Sequence, residues 1–291
     1  MSYPPRRSYS IQLPDGRSLE LGARPLVMGI LNITPDSFAD PARFRDPAAA
    51  ADAALQMEAD GADIVDLGGE STRPGSQPVA VDEELRRVMP ALVALRGRLR
   101  VPLSIDTYKS EVARAALGAG AVIVNDVSGL RADPALAAVT AEARAGLVLM
   151  HSRGRPETMT DDAVYHDVVG EAAAELRAAI VRAGAAGVAE SQIVADPGIG
   201  FAKRAAHSYG VLARLPEFAA ALDRPVLVGV SRKSFLREAA GGRPAPERDW
   251  ATAAAVTAAV LAGAHIVRVH AVAAMVQAVR VAEQIRTSHQ R

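Results

Sequence analysis

The residues best suited to chemistry sit where apolar runs end. Asn32 follows the run 25–31, Asp106 follows 101–105, Asn125 follows 121–124 and His151 follows 146–150. Asp196 follows 193–195, Lys233 comes just after 225–230, and His270 follows 265–269. Carboxylates accept hydrogen bonds, ammonium groups donate them and side-chain amides do both, so such a set can form directed hydrogen bonds at one convergent site. The polarity of loops accounts for one or two of these residues, but not for a directed hydrogen-bonding group at almost every run end. The stretch 194–203, V-A-D-P-G-I-G-F-A-K, is the most informative. Pro197 cannot continue a paired strand, and Gly198 and Gly200 permit a sharp turn and a close approach. A buried carboxylate, Asp196, on the floor of a pocket is predicted; the plainer alternative is an Asp that caps the following helix. Arg268 and His270 are two apart on a strand, so they share a face and offer two donors to a phosphate or carboxylate.

One architecture brings these residues together. A hairpin is predicted first, with Ile11-Gln12-Leu13 and Leu19-Glu20-Leu21 alternating around Pro14-Asp15-Gly16-Arg17, as a lid over the bottom of the larger domain after it. Helical patterns over 48–60, 81–96, 109–117, 134–143, 163–183, 208–222, 249–262 and from 271 to about 285 separate the apolar runs. A further run, 62–67, enters Gly68-Gly69-Glu70. Uninterrupted apolar strands imply burial on both faces, as in a parallel sheet. Eight strand–helix units most simply close as an α/β (β/α)8 TIM barrel, whose active sites lie at the C-terminal ends of the strands. A doubly wound open sheet is the alternative, but no G-x-G-x-x-G follows the first strand. The division expected is 1–23 as an extension with the hairpin and 24–291 as the barrel. Loops 33–47 and 70–78 exceed the usual two to six residues of such connections and stand over the same face. Arg73, in the middle of the second, either reaches the site or is a solvated surface arginine.

Composition narrows the classes. The chain has 291 residues, 49% apolar and only 4% aromatic, so a large core of Ala, Val, Leu and Ile is expected. Lys+Arg and Asp+Glu both number 33. Zero net charge argues against nucleic-acid or membrane binding by bulk charge and leaves room for a local anion site. With no cysteine, disulfides and thiolate metal sites are excluded. The start, M-S-Y-P-P-R-R-S-Y-S, holds no apolar signal region and no run is long enough to span a bilayer, so a cytoplasmic protein is expected. His265 and His270 face opposite sides of one strand and cannot share a zinc ion. There is no P-loop, and Gly229-Val230-Ser231-Arg232-Lys233 lacks the second glycine of a nucleophile elbow.

Taken in order, the motifs resemble one family. M-G-I-L-N-I-T-P-D-S-F (28–38), D-L-G-G-E-S-T-R-P-G (66–75), S-I-D-T (104–107), V-N-D-V-S-G (124–129), L-M-H (149–151), D-P-G-I-G-F-A-K (196–203), V-G-V-S-R-K-S (228–234) and R-V-H (268–270) are similar to those of dihydropteroate synthases. The resemblance runs from about 24 to 283 and implies a TIM barrel, commonly a homodimer. The reaction it implies joins 6-hydroxymethyl-7,8-dihydropterin pyrophosphate to 4-aminobenzoate. It further implies a pterin site of Asp106, Asn125, Met150, Asp196, Phe201, Lys233 and Arg268. Asn32, Arg268 and His270 would face pyrophosphate, with Mg2+ beside Asn32. Phe38, Thr72, Arg73, Pro74 and Ser234 would hold 4-aminobenzoate, with Ser234 at the start of a helix and Asp40 facing the reacting carbon. The family often carries Asp after R-V-H; here Ala271 removes one carboxylate. The first loop, with D-P-A-R-F, is less glycine-rich than in many members.

Two rivals stand beside this reading. A pterin-dependent methyltransferase domain shares the barrel and the Asp/Asn floor but needs no pyrophosphate site, and Thr72-Arg73-Pro74-Gly75 with Ser231-Arg232-Lys233-Ser234 favours the synthase. A non-catalytic paralogue would be expected to lose some polar residues, and the main ones are all present.

Overall fold

The computed structural model describes residue 3 and residues 6–34, 46–71, 75–154 and 163–288. The alternating segments at the start form an antiparallel hairpin, β1 (Tyr9–Gln12) and β2 (Ser18–Leu21), with Ile11 opposite Leu19. The apolar runs become eight parallel strands: β3 (Leu26–Asn32), β4 (Ile64–Gly68), β5 (Leu103–Asp106), β6 (Ile123–Asp126), β7 (Gly146–Met150), β8 (Ile193–Asp196), β9 (Leu227–Gly229) and β10 (Ile266–Val269). The strands pair in the order β8-β7-β6-β5-β4-β3-β10-β9. The remaining seam is joined where Ala195 pairs with Val226 and its N–H donates to the Pro225 carbonyl at 2.9 Å. The sheet therefore closes as the expected TIM barrel. Pro225 has no N–H to give, which helps confine β9 to three residues where a run of six was expected.

Helices α1 (Pro47–Ala59), α2 (Val81–Leu95), α3 (Ser110–Gly118), α4 (Ala135–Glu142), α5 (Val168–Ala185), α6 (Ala205–Ala213), α7 (Leu215–Leu222), α8 (Asp249–Leu261) and α9 (Val272–Ser288) surround the strands. Two depart from expectation. The segment 208–222 is two helices broken at Arg214, because Pro216 in the first turn of α7 cannot donate to the preceding turn. The helix expected from 163 begins at Val168, where the Asp167 side chain accepts from the Val169 N–H. No described helix is long and apolar enough to cross a membrane.

Strand alternation sorts the buried side chains into two clusters. Outward residues such as Val65, Leu67, Ile105, Val124 and Val267 pack under the helices. Inward residues Met28, Ile64, Ile123, Val148, Val194, Leu227 and Ile266 fill the barrel's lower half and meet Ile11, Leu13, Leu19 and Leu21 of the hairpin. The hairpin is the expected lid, and each aliphatic side chain it buries is worth about 1.5–3 kcal/mol. A residual cavity of about 10 Å³ between hairpin and barrel is apolar and too small to hold a ligand.

Candidate active site

At the opposite end, four strands present paired positions in a row. Asn32 lies beside Gly68, Gly68 beside Asp106, and Asp106 beside Asn125. A Cβ on Gly68 would fall 3.4 Å from the Asp106 Cβ and 3.6 Å from Asn32 Oδ1. Glycine here keeps open the space between those two side chains. Further round, Met150 pairs with Asp196, and Arg268 pairs with Gly229. The pterin residues expected on strands therefore do gather at one mouth.

Arg268 is the centre of this mouth. Its Nε donates to Asp66 Oδ2 and its Nη2 to Asp106 Oδ2, both at 2.6 Å. Asn125 Nδ2 donates to the same Asp66 Oδ2 at 2.9 Å. Burial works against the Arg268 charge, but the two carboxylates more than offset it and raise its pKa. Asp106 is pushed up to about 7, first by burial and then by nearby carboxylates, with Arg268 opposing. Asp196 is also raised by burial, against the pull of Lys233. Lys233, brought down to about 8 by burial, donates to the Ile199 carbonyl and lies 4.5 Å over the Phe201 ring.

The 196–203 turn is set locally. Asp196 Oδ1 accepts the Gly198 N–H at 2.7 Å, so Asp196 closes its own turn. The next helix, α6, begins only at Ala205, so the helix-cap alternative does not hold. Gly198 has φ +65°, and a Cβ there would lie 1.8 Å from the His151 carbonyl oxygen. The close approach foreseen for this glycine is thus to backbone. On the other wall Arg232 adopts φ 59°, held by Asp249 at 2.7 and 2.8 Å and by Thr252 at 3.0 Å. This pinned turn aims the following Lys233 into the mouth.

Other expected residues lie at the rim or elsewhere. His270 Nδ1 lies 2.9 Å from Ser231 Oγ, which also accepts the His270 N–H at 3.2 Å. Ser234 is exposed and opens a one-turn 3₁₀ segment, Ser234–Leu236, rather than a helix; the next α-helix starts at Asp249, beyond Gly241-Gly242 and Pro244. His151 does not join the mouth. It follows Met150, so strand alternation turns it outward, where Nε2 meets Glu175 of α5 at 3.1 Å. Phe38, Asp40, Thr72, Arg73 and Pro74 lie outside the described residues. Among the described residues no cluster of three or more His, Asp or Glu is placed to hold a metal.

Three features were missed by residue-level reasoning. Asp66 is wholly buried within an apolar strand. A carboxylate in a strand buried on both faces must have partners, and that signal stood in the sequence. Lys203, brought down to about 7 by burial, places Nζ 2.8 Å from His151 Nδ1 and 3.2 Å from the carbonyls of Gly198 and Phe201. With the ammonium on Nδ1, His151 carries its proton on Nε2 toward Glu175, and burial followed by the Lys203 charge lowers its pKa to about 4. Lys203 thereby braces the turn that carries Asp196 and Phe201. Lys109 pairs with both Glu70 and Glu84, and the Tyr108 hydroxyl donates to Glu70 at 2.6 Å. That cluster ties the root of the loop after β4 to the β5–α3 connection and to α2.

Comparison with known proteins gives one answer. A model of the pterin-binding enzymes matches residues 28–270. A dihydropteroate synthase of Synechocystis is 46% identical over 274 residues, covering 94% of each chain. A Burkholderia cenocepacia dihydropteroate synthase complexed with 7,8-dihydropteroate superposes with TM-score 0.86 at 45% identity, covering 97% of this chain and 99% of that one. A Xanthomonas albilineans dihydropteroate synthase with 4-aminobenzoic acid gives TM-score 0.88 at 42% identity, covering 96% and 99%.

Proposed function

Since the chain belongs to the pterin-binding enzyme family and its activity is that of a dihydropteroate synthase in folate biosynthesis, we propose how its barrel mouth performs the reaction. The two substrates are 6-hydroxymethyl-7,8-dihydropterin pyrophosphate and 4-aminobenzoate; the products are 7,8-dihydropteroate and pyrophosphate. One observation carries the reading: buried Asp106, Asn125 and Asp196 stand at neighbouring strand ends of one mouth with the Arg268 guanidinium, which Asp66 and Asp106 hold. An aminopyrimidinone edge is rich in N–H donors and complements acceptors of that kind.

Asp196 and Asn125 take the pterin edge, Asp106 and Lys233 complete its contacts, and Met150 and Phe201 line the slot. Arg268 lies against the ring and reaches the leaving pyrophosphate together with His270 and Asn32. The displacement is dissociative: the C–O bond to pyrophosphate breaks first, the methylene carbon becomes cation-like, and the electron-rich pterin spreads that charge. The neutral aniline nitrogen then attacks with its own lone pair, so no strong base is required. Fixed donors at the leaving oxygens lower the barrier to the first step. Mg2+ supplies further charge neutralisation on pyrophosphate when bound. Among the described residues Asn32 would hold it through its neutral amide oxygen, a hard oxygen donor of the kind Mg2+ prefers. With Ala271 in place of an acid, this chain leans on that arrangement all the more.

The 4-aminobenzoate and 7,8-dihydropteroate seen in the relatives are carried over here as ligands. Phe38, Thr72, Arg73, Pro74 and Ser234 are assigned to the aminobenzoate, with Asp40 toward the reacting carbon. Ser234 would act through its hydroxyl rather than a helix terminus. A homodimer, a cytoplasmic location and the division of the chain at residue 23 belong to the same reading. The test is pyrophosphate release from the pterin substrate in Mg2+, with and without 4-aminobenzoate, in the wild type and in His270→Ala and Asn32→Ala. Coupled formation of dihydropteroate is expected, with both variants losing turnover far more than affinity for a pterin lacking pyrophosphate. Equal losses of turnover and affinity would overturn the leaving-group assignment.

A further inference from the structure

Asp66 is wholly buried and its Oδ2 accepts two hydrogen bonds, from Arg268 Nε at 2.6 Å and Asn125 Nδ2 at 2.9 Å. Arg268 Nε can only donate, so Asp66 Oδ2 serves as an acceptor, and the Asn125 amide on the same oxygen has no choice of direction. Its NH2 must face Asp66 and its carbonyl oxygen must face away. Among the described residues Asn125 Oδ1 has no hydrogen-bond partner, yet it is not sealed from solvent. The same holds for Asp106 Oδ1 and Asp196 Oδ2, since Asp106 uses Oδ2 for Arg268 and Asp196 uses Oδ1 for the Gly198 N–H. Three acceptor oxygens therefore open on the mouth.

We propose that Asp66 is a specificity-determining positioning residue: by holding the Asn125 amide in one orientation, it makes the floor an acceptor there and so selects ring edges that carry N–H donors over edges that carry carbonyl oxygens. Asp66 does not itself touch the ligand. Without it, Asn125 is free to turn its amide and present either end. The amide is then an adaptable partner, and a carbonyl-bearing edge is rejected less strongly. The contrast that matters is a 2-amino-4-oxopteridine against its 2,4-dioxo counterpart, in which a carbonyl oxygen replaces the exocyclic amino group. The proposal rests on the reading that the pteridine edge lies on this floor.

The experiment is equilibrium binding by calorimetry of 6-hydroxymethylpterin and 6-hydroxymethyl-lumazine to the full chain at one fixed pH. The wild type is expected to prefer the pterin by about 100-fold or more, as sites built to hydrogen-bond a group reject analogues lacking it. In Asp66→Ala that preference should fall by about tenfold, the worth of one hydrogen-bond reversal. Asp66→Ser, whose hydroxyl is too short to reach the amide, serves as a second variant should the alanine protein not fold. Asp66→Asn should restore most of the preference, because Arg268 Nε forces its oxygen into the same place. A residue that only supported the fold would weaken both ligands together and leave their ratio unchanged; that result in Asp66→Ala or Asp66→Ser overturns the proposal. A wild-type protein with no preference between the two ligands would instead overturn the assignment of the floor itself.

Discussion

The two ends of the barrel interior are built from the same strands and differ by one inward step. Along β4 the inward positions run Ile64, Asp66, Gly68; along β6, Ile123 then Asn125; along β8, Val194 then Asp196; along β10, Ile266 then Arg268. Two residues of strand, about 6.6 Å, separate an apolar plug sealed by the hairpin from a ring of carboxylates, amide and guanidinium. The closed end has only packing to offer, so its residues should govern stability. The open end holds three buried carboxylates, Asp66, Asp106 and Asp196, against Arg268 and Lys233. Its residues should govern binding, and several should cost stability in the free protein. Stability and recognition are thus segregated along each strand rather than between domains.

The residue whose removal most disturbs this contrast is Arg268. Arg268→Ala leaves Asp66 and Asp106 without their cation, and breaking a buried pair on one side costs about 3–5 kcal/mol. Urea unfolding together with turnover should show both stability and activity collapsing; a stability loss under about 1 kcal/mol would mean the ion pairs are expendable. At the closed end, Ile11→Ala should cost about 2–5 kcal/mol as a core truncation. Its turnover and pterin affinity at low temperature should stay within about twofold of wild type, as expected of distant sites. A large change in pterin affinity would show that the two ends are coupled.

Asp196→Asn should do the reverse of Ile11→Ala. An amide offers one acceptor and unwanted donors, so pterin affinity should fall by about 1–3 kcal/mol. Burial raises the Asp196 pKa, so its charge is unfavourable in the folded state and the variant should be no less stable than wild type at neutral pH. Calorimetry and thermal unfolding on the same sample separate the two effects. Unchanged affinity in a folded variant would remove Asp196 from the site.

The smallest expected effect is in the pH dependence of stability. Asp106 holds its proton more tightly folded, at about 7, than unfolded, near 4. Its contribution is therefore most favourable below about pH 4 and is lost as pH rises through about 7. Asp106→Asn, which cannot titrate, should show a smaller fall in Tm between pH 5 and pH 8 than wild type. An identical fall in both proteins would show that Asp106 is ionised throughout that range.

Much of this could be read along the chain. Each barrel strand was legible as a short apolar run, because a parallel strand covered on both faces needs nothing else. The polar group at its end was legible because a barrel puts strand ends on one face. Asp196, Asn125 and Asp106 were picked out that way, and Arg268 by sharing a strand face with His270; that the strand residues meet at one mouth follows from register. The breaks were harder: Pro216 splits 208–222 because it cannot donate to the preceding turn, and Ser234 opens a 3₁₀ turn where a helix start was expected.

What the sequence determined by itself was periodic: the α/β order, the barrel, the hairpin plug and the polar mouth all rest on patterns a few residues long. What only the tertiary structure decided was pairing. Asp66 meets Asn125 across 59 residues and Arg268 across 202, and Lys203 meets His151 across 52. Nothing local marks which carboxylate takes which donor, because a buried charge is stabilised by whatever the closed sheet places beside it. His151 makes the same point in reverse: at the end of its strand it looks like its neighbours, and a single step of alternation sends it to α5 instead of the mouth.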